Sequence, residues 1–210
     1  MSDRHPCPMD GQSERWDELY RGKGRQWRGV TDLKDLPFAP GSRILEVGCG
    51  NGKTAEALCQ SGYSVTAVDF SSEAVEACRS QLGDRAEVRV GSLLDLPFDD
   101  RSFDGAVLFH VMEHILPEDL PRASSELSRV LVPGSFAVAK SFSVGDLRSA
   151  KGERIAPDTV VRGNGIRYRY YTEETFGSMF PDAETVSVRT VSEATRFGAE
   201  RSRVEAVFRF

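Results

Sequence analysis

An apolar run that breaks into three alternate glycines constrains this chain more than any other feature. Ile44, Leu45 and Val47 are strand formers that follow the breaker Pro40-Gly41, and they lead into Gly48-Cys49-Gly50-Asn51-Gly52. Helix formers resume from Ala55 to Leu58. The pattern predicts a strand, a tight turn and a helix start. Glycines leave no Cβ to hold a ligand off the backbone, and the amides at a helix start attract a polar or anionic group. A dinucleotide fingerprint, G-x-G-x-x-G, needs its third glycine where Lys53 stands, and here Gly52 comes one place early. That disfavours a nicotinamide-dependent oxidoreductase.

Alternating apolar runs and helical stretches continue along the chain. Residues 64–69 read as a second strand ending in Asp69, and residues 71–82 as a helix with Ala74, Val75 and Cys78 as its apolar stripe. The N-cap belongs to Ser71 or Ser72, which leaves Asp69 for other work. Strands follow at 86–90, 103–109 and 136–142, with a helix over 118–131 and a turn over 132–135. A helix over 172–179 precedes two alternating runs, 181–192 and 203–210, that read as a closing antiparallel pair. Near the start, residues 14–20 form a short helix with Trp16, Leu19 and Tyr20 on one face, stopped by Gly22 and Gly24. Residues 1–13 read as disordered.

The order Glu46-x-Gly48-x-Gly50-x-Gly52 resembles motif I of the class I S-adenosylmethionine (SAM) dependent methyltransferases, small-molecule type, and the resemblance extends over residues 14–210. Gly91 to Phe98 is similar to the family segment G-D-x-x-x-L-P-F, His110 to His114 to motif IV, and Val132 to Ser135 to the turn before strand five. The resemblance implies an α/β, Rossmann-like fold: a seven-stranded, mostly parallel sheet with helices on both faces. It implies SAM as cofactor, held by Glu46, Gly48, Cys49, Gly50, Gly52, Asp69, Phe70, Ser92, Leu93, Phe109 and Tyr20. Asp69, at a strand's ligand-binding edge, would accept both ribose hydroxyls. Ser92 departs from the family, many of whose members carry an acid there to accept from the adenine amino group; a hydroxyl accepts more weakly. Trp16, Asp17, Tyr20 and Trp27 loosely match a W-D-x-x-Y segment and later tryptophan that close over the cofactor's amino-acid end. A SAM-binding protein without catalysis fits the same residues.

His110-x-x-Glu113-His114 also matches the zinc pattern H-x-x-E-H, but that pattern needs a continuing helix, whereas this one follows a strand and meets Pro117. No metal is expected. If the acceptor must lose a proton, His110 is the leading base, with Tyr20 and His114 behind it.

The 210 residues, 40% hydrophobic and 28% charged, suit one soluble domain, and a net charge of -5 argues against a general nucleic-acid coat. Global charge does not settle the substrate; the resemblance implies a small-molecule acceptor rather than tRNA or other RNA, with no DNA and no membrane partner. Cys7, Cys49, Cys59 and Cys78 show neither a C-x-x-C pair nor zinc spacing, and with no signal sequence or spanning segment a cytoplasmic setting is simplest. Residues 143–171 are an insertion of little periodicity, locally basic. Its Arg167, Arg169 and Tyr170 are the candidate acceptor-binding residues of a lid, since such loops near a ligand edge are often functional.

Overall fold

Apolar side chains occupy consecutive positions of the central strands, so both faces of the sheet need covering. In the computed structural model, which describes residues 11–23, 31–195, 198 and 200–210, helices supply that cover. Residues 1–10, with Cys7, and Trp27 lie outside the described residues. Helix α1 (Gln12–Lys23) precedes β1 (Arg43–Val47), α2 (Lys53–Gln60), β2 (Ser64–Asp69), α3 (Ser72–Leu82), β3 (Glu87–Val90), β4 (Phe103–Phe109), α4 (Leu120–Val130) and β5 (Leu131–Phe142). Then come β6 (Glu153–Ala156), β7 (Thr159–Val161), β8 (Arg167–Arg169), α5 (Glu173–Gly177), β9 (Glu184–Ala194) and β10 (Glu200–Arg209).

The main sheet has seven strands in the order β3-β2-β1-β4-β5-β10-β9. Strands β1 to β5 pair in parallel, and β10 runs antiparallel to both β5 and β9. The order reverses between β1 and β4, the place where open α/β sheets bind ligands beyond their strand ends. Period-two alternation divides the core. Leu45, Ala106, Leu108 and Ala139 join Leu127 of α4 and Phe176 of α5 on one face. Ile44, Ala67, Val107 and Val138 join Leu58 of α2 and Val75 of α3 on the other.

Several boundaries differ from the sequence reading. Helix α1 begins at Gln12 and runs through Gly22, because one exposed glycine weakens a helix without ending it. The expected turn at 132–135 lies inside β5: Gly134 has φ 84° and donates to Phe210 O, so the strand bulges there while still pairing. Ser71 caps α3 by accepting from Ala74 N, as anticipated.

The insertion is the largest correction. Residues 153–169 form a three-stranded antiparallel sheet, β6-β7-β8. Strands of three or four residues are too short to display a period. The excursion leaves and re-enters the fold at one point, where Ser143 bridges Tyr171 and Tyr171 N donates to Phe142 O. Its Val160, Ile166, Tyr168 and Tyr170 bury against Trp16 and Phe142 in a third apolar cluster, with Leu19, Tyr20 and Phe70 at its margin.

Candidate active site

At the C-terminal edge of β1, β2 and β4 lies a cavity of about 660 Å³, roofed by α1 and the insertion sheet. That volume is ordinary for a small-molecule site. On its floor the chain turns through Gly48 and Gly50, with φ 71° and 53°, values that favour glycine. A Cβ on Gly48 would overlap Val111 Cγ2, so this glycine is also required by the segment behind it. Asp69 fixes the turn: its Oδ2 accepts from Gly50 N at 2.9 Å and its Oδ1 from Ser71 N at 3.0 Å. Burial pushes its carboxyl up to about 6 against the pull of these amides. Each oxygen retains a second lone pair for another donor.

Glu46 lies beneath the turn, 3% exposed, and its Oε2 is buried with no hydrogen-bond partner. Burial, with Cys78 and Asp69 nearby, raises its pKa well above the usual carboxylate range. Phe70, Ser92 and Leu93 line one end of the cavity, and Trp16, Tyr20 and Phe109 also border it. Helix α1 is tied down by Asp17, whose Oδ1 accepts from Ser71 Oγ at 2.6 Å and from Glu73 N at 3.3 Å. At its other end Gln12 exchanges hydrogen bonds with the insertion, donating to Gly165 O and accepting from Arg167 N.

The segment after β4 carries the densest chemistry. His110 stands at φ 62°, a left-handed conformation costly for a residue with a Cβ, and sparsely populated backbone of this kind clusters at functional sites. Its Nδ1 lies 3.1 Å from Glu113 Oε1, while Glu113 Oε2 accepts from Ser141 Oγ at 2.8 Å. Burial opposes charge on Glu113, but His110, His114 and Ser141 outweigh it and hold the pKa below the usual range. An ionised carboxylate accepts only, so Nδ1 of His110 carries a proton, and in the neutral ring Nε2 is the lone-pair nitrogen. His114 is fixed likewise: Nδ1 donates to Arg167 O at 2.8 Å, and burial lowers its pKa, leaving a neutral ring packed edge-on against Trp16 and Tyr168. Met112–His114 is a single 3-10 turn, without the continuous helix that the zinc pattern requires.

Comparisons with known proteins agree with this geometry. The methyltransferase domain family matches residues 45–139. Demethylmenaquinone methyltransferase of Clavibacter sepedonicus is 34% identical over 180 residues, covering 80% of this chain and 71% of the relative. The chain belongs to the class I SAM-dependent methyltransferases. The tRNA N(3)-cytidine methyltransferase METTL2 of Gallus gallus is 29% identical over 191 residues, covering 84% of this chain and 51% of the relative. The chain thus spans about half the length of that relative. A solved SAM-dependent methyltransferase of Methanosarcina mazei shares the fold, with TM-score 0.70 at 24% identity, covering 84% of this chain and 98% of that one.

Of the residues expected to serve this methyltransferase, Glu46, Gly48, Cys49, Gly50, Asp69, Phe70, Ser92, Leu93, Phe109, Tyr20 and His110 all line the cavity. Gly52 is not among its lining residues. It has φ 80° and faces α3, where a Cβ would meet Cys78 Sγ at 3.0 Å. Arg167, Arg169 and Tyr170 do not line it either. On β8 Tyr168 turns toward His114 and Phe142, and strand alternation sends Arg167 and Arg169 the opposite way. Arg169 instead pairs with Asp158 at 2.7 Å, and Tyr170 is buried behind the wall. The insertion contributes Arg148, Arg162 and Tyr168 to the cavity. The sequence reading did not anticipate the work of Glu113 and Ser141. A carboxylate three residues after a candidate base was the available signal for Glu113; nothing flagged Ser141.

Proposed function

We propose that this methyltransferase acts on a small acceptor, with His110 as the base where the acceptor must lose a proton. The residues of the cavity fit SAM: an orphaned, buried Glu46 oxygen awaits a donor, and the glycine turn leaves room against the backbone. Asp69 holds the ribose hydroxyls, Phe70 and Leu93 flank the adenine with Ser92 at its polar edge, and Phe109 and Tyr20 border the methionine end. Bound SAM supplies an electrophilic methyl group on a sulfonium. Alignment and exclusion of water are then the protein's main tasks, and Trp16, Tyr168 and the insertion sheet close the cavity for both. The Glu113 carboxylate holds the His110 ring in the tautomer whose Nε2 can take a proton, and Ser141 holds Glu113.

The observation that carries the small-acceptor reading is the pairing of two of the insertion's arginines with carboxylates of the insertion itself. Arg148 pairs with Asp146 and Arg169 with Asp158. Arginines neutralised within the fold make a poor track for phosphates, and a tRNA needs several such contacts. Incubation with methyl-labelled SAM and separated small-molecule, tRNA and protein fractions tests this reading. Label in the small-molecule fraction supports it. Label in tRNA would establish the second reading, which the likeness to METTL2 favours.

A further inference from the structure

Arg162 differs from Arg148 and Arg203, which also line the cavity and pair with carboxylates. Its guanidinium lies 3.7 Å from the centroid of the Tyr168 ring, and Nη2 donates to Tyr170 Oη at 2.9 Å. That is the one hydrogen bond of its side chain among the described residues. Its Nε is buried with no partner, and among the described residues no carboxylate lies within ion-pair distance. A partly desolvated, uncompensated guanidinium is costly, and a planar fork with free donors matches a carboxylate. Tyr170 Oη also donates to Arg148 O at 2.9 Å, so one buried hydroxyl sets both arginines. Arg148 itself stacks 3.9 Å from the Phe142 centroid but is already neutralised by Asp146.

The aromatic wall runs from Arg162 toward the proposed base. Tyr168 lies 6.4 Å from Phe142, centroid to centroid, and Phe142 lies 4.5 Å from the His110 ring. A flat molecule laid along this wall meets a cation at one end and a lone-pair nitrogen at the other.

We infer that the acceptor is a planar carboxylate, its anionic end bound by Arg162 on the face of Tyr168 and its methyl-accepting atom beside His110. This rests on the small-acceptor reading. Tyr170 acts through Arg162 and is a positioning residue.

Benzoate and benzamide, alike in shape and different in charge, serve as probes of the protein saturated with S-adenosylhomocysteine. Titrated by NMR, benzoate binds at least tenfold more tightly than benzamide and shifts the Arg162 Nε and Tyr168 ring signals. Arg162→Gln removes that preference while leaving S-adenosylhomocysteine affinity within twofold. Arg162→Lys, keeping charge without the fork, retains part of it. Tyr170→Phe weakens the preference with the Arg162 side chain intact, and it stands in should Arg162→Gln not fold. Equal binding of the two probes by the wild type overturns the inference, as does a benzoate preference that survives Arg162→Gln. A fall in S-adenosylhomocysteine affinity in Arg162→Gln also overturns it, since the guanidinium then serves the cofactor's own carboxylate. Labelling of tRNA sinks the small-acceptor reading itself, whereas a failure confined to the benzoate experiment sinks the carboxylate alone.

Discussion

Asp69 couples the glycine turn to pH. Its carboxyl is pushed up to about 6 by burial, so a fall in pH through that value protonates the group assigned to the ribose hydroxyls. S-adenosylhomocysteine affinity should hold steady above that value and weaken below it, approaching about tenfold per pH unit. Calorimetry across the window checks this, and Asp69→Ala should remove the pH dependence. The same variant should lose about 1.5 to 3 kcal/mol of affinity, the range for hydrogen bonds to a charged group. Glu113→Gln makes a second test. An amide can donate to His110 Nδ1 and so stabilise the other tautomer, and rates should fall by about a hundredfold or more with cofactor affinity unchanged. Nitrogen-15 spectra of His110 report the tautomer without an acceptor in hand; an Nδ1 proton retained in Glu113→Gln would remove Glu113 from its orienting role.

At the scale of elements, the cavity depends on segments that brace one another. Gly48 sits on β1's end with Val111 where its Cβ would be, so Gly48→Ala strains both the backbone and the turn before His110. It should destabilise the fold by about 1 to 3 kcal/mol in denaturant unfolding, and Val111→Ala in the same chain should recover part of that loss. Helix α1 is pinned to α3 through Asp17 and Ser71. Asp17→Ala should speed hydrogen exchange in residues 12–23 while β1, β2 and β4 stay protected, since α1 is held by few buried contacts and the central strands by many. These elements were legible in unequal measure. Long apolar runs made the main strands readable, and Asp69 stood out because it ends one of them. The facing of Arg167, Tyr168 and Arg169 could not be read, because alternation says that neighbours oppose one another and not which of them faces the cavity. Gly52 looks like Gly48 and Gly50 in sequence. Only the packing of α3 shows that Cys78 claims that one.

Across the whole molecule, Glu46 and Asp69, whose pKa values burial raises, oppose a set of carboxylates whose values are lowered. Asp69 binds its proton more tightly in the folded chain than in the unfolded one, so between its ordinary value of 3.8 and about 6 its contribution to stability declines as pH rises. Asp146, Asp158 and Glu205 have lowered values because their arginine partners outweigh burial; their contribution is present above the ordinary carboxylate range and is lost on acidification. The free protein should therefore gain little between about pH 5 and 7, while saturating S-adenosylhomocysteine should raise the melting temperature more at pH 7 than at pH 5. Differential scanning fluorimetry at the two values decides it; equal shifts would separate Asp69 ionisation from cofactor binding. The joined entry and exit of the insertion carry a different consequence. With Ser143 and Tyr171 already side by side, the chain between them can be lengthened, shortened or exchanged at small loop-closure entropy, provided that Asp146 and Leu147 keep their hydrogen bonds to β10. Residues 148–170 then form a natural cassette: if the roof reads the acceptor as proposed, transplanting it rewrites which molecule is methylated, provided the graft restores the carbonyl that Arg167 offers to His114.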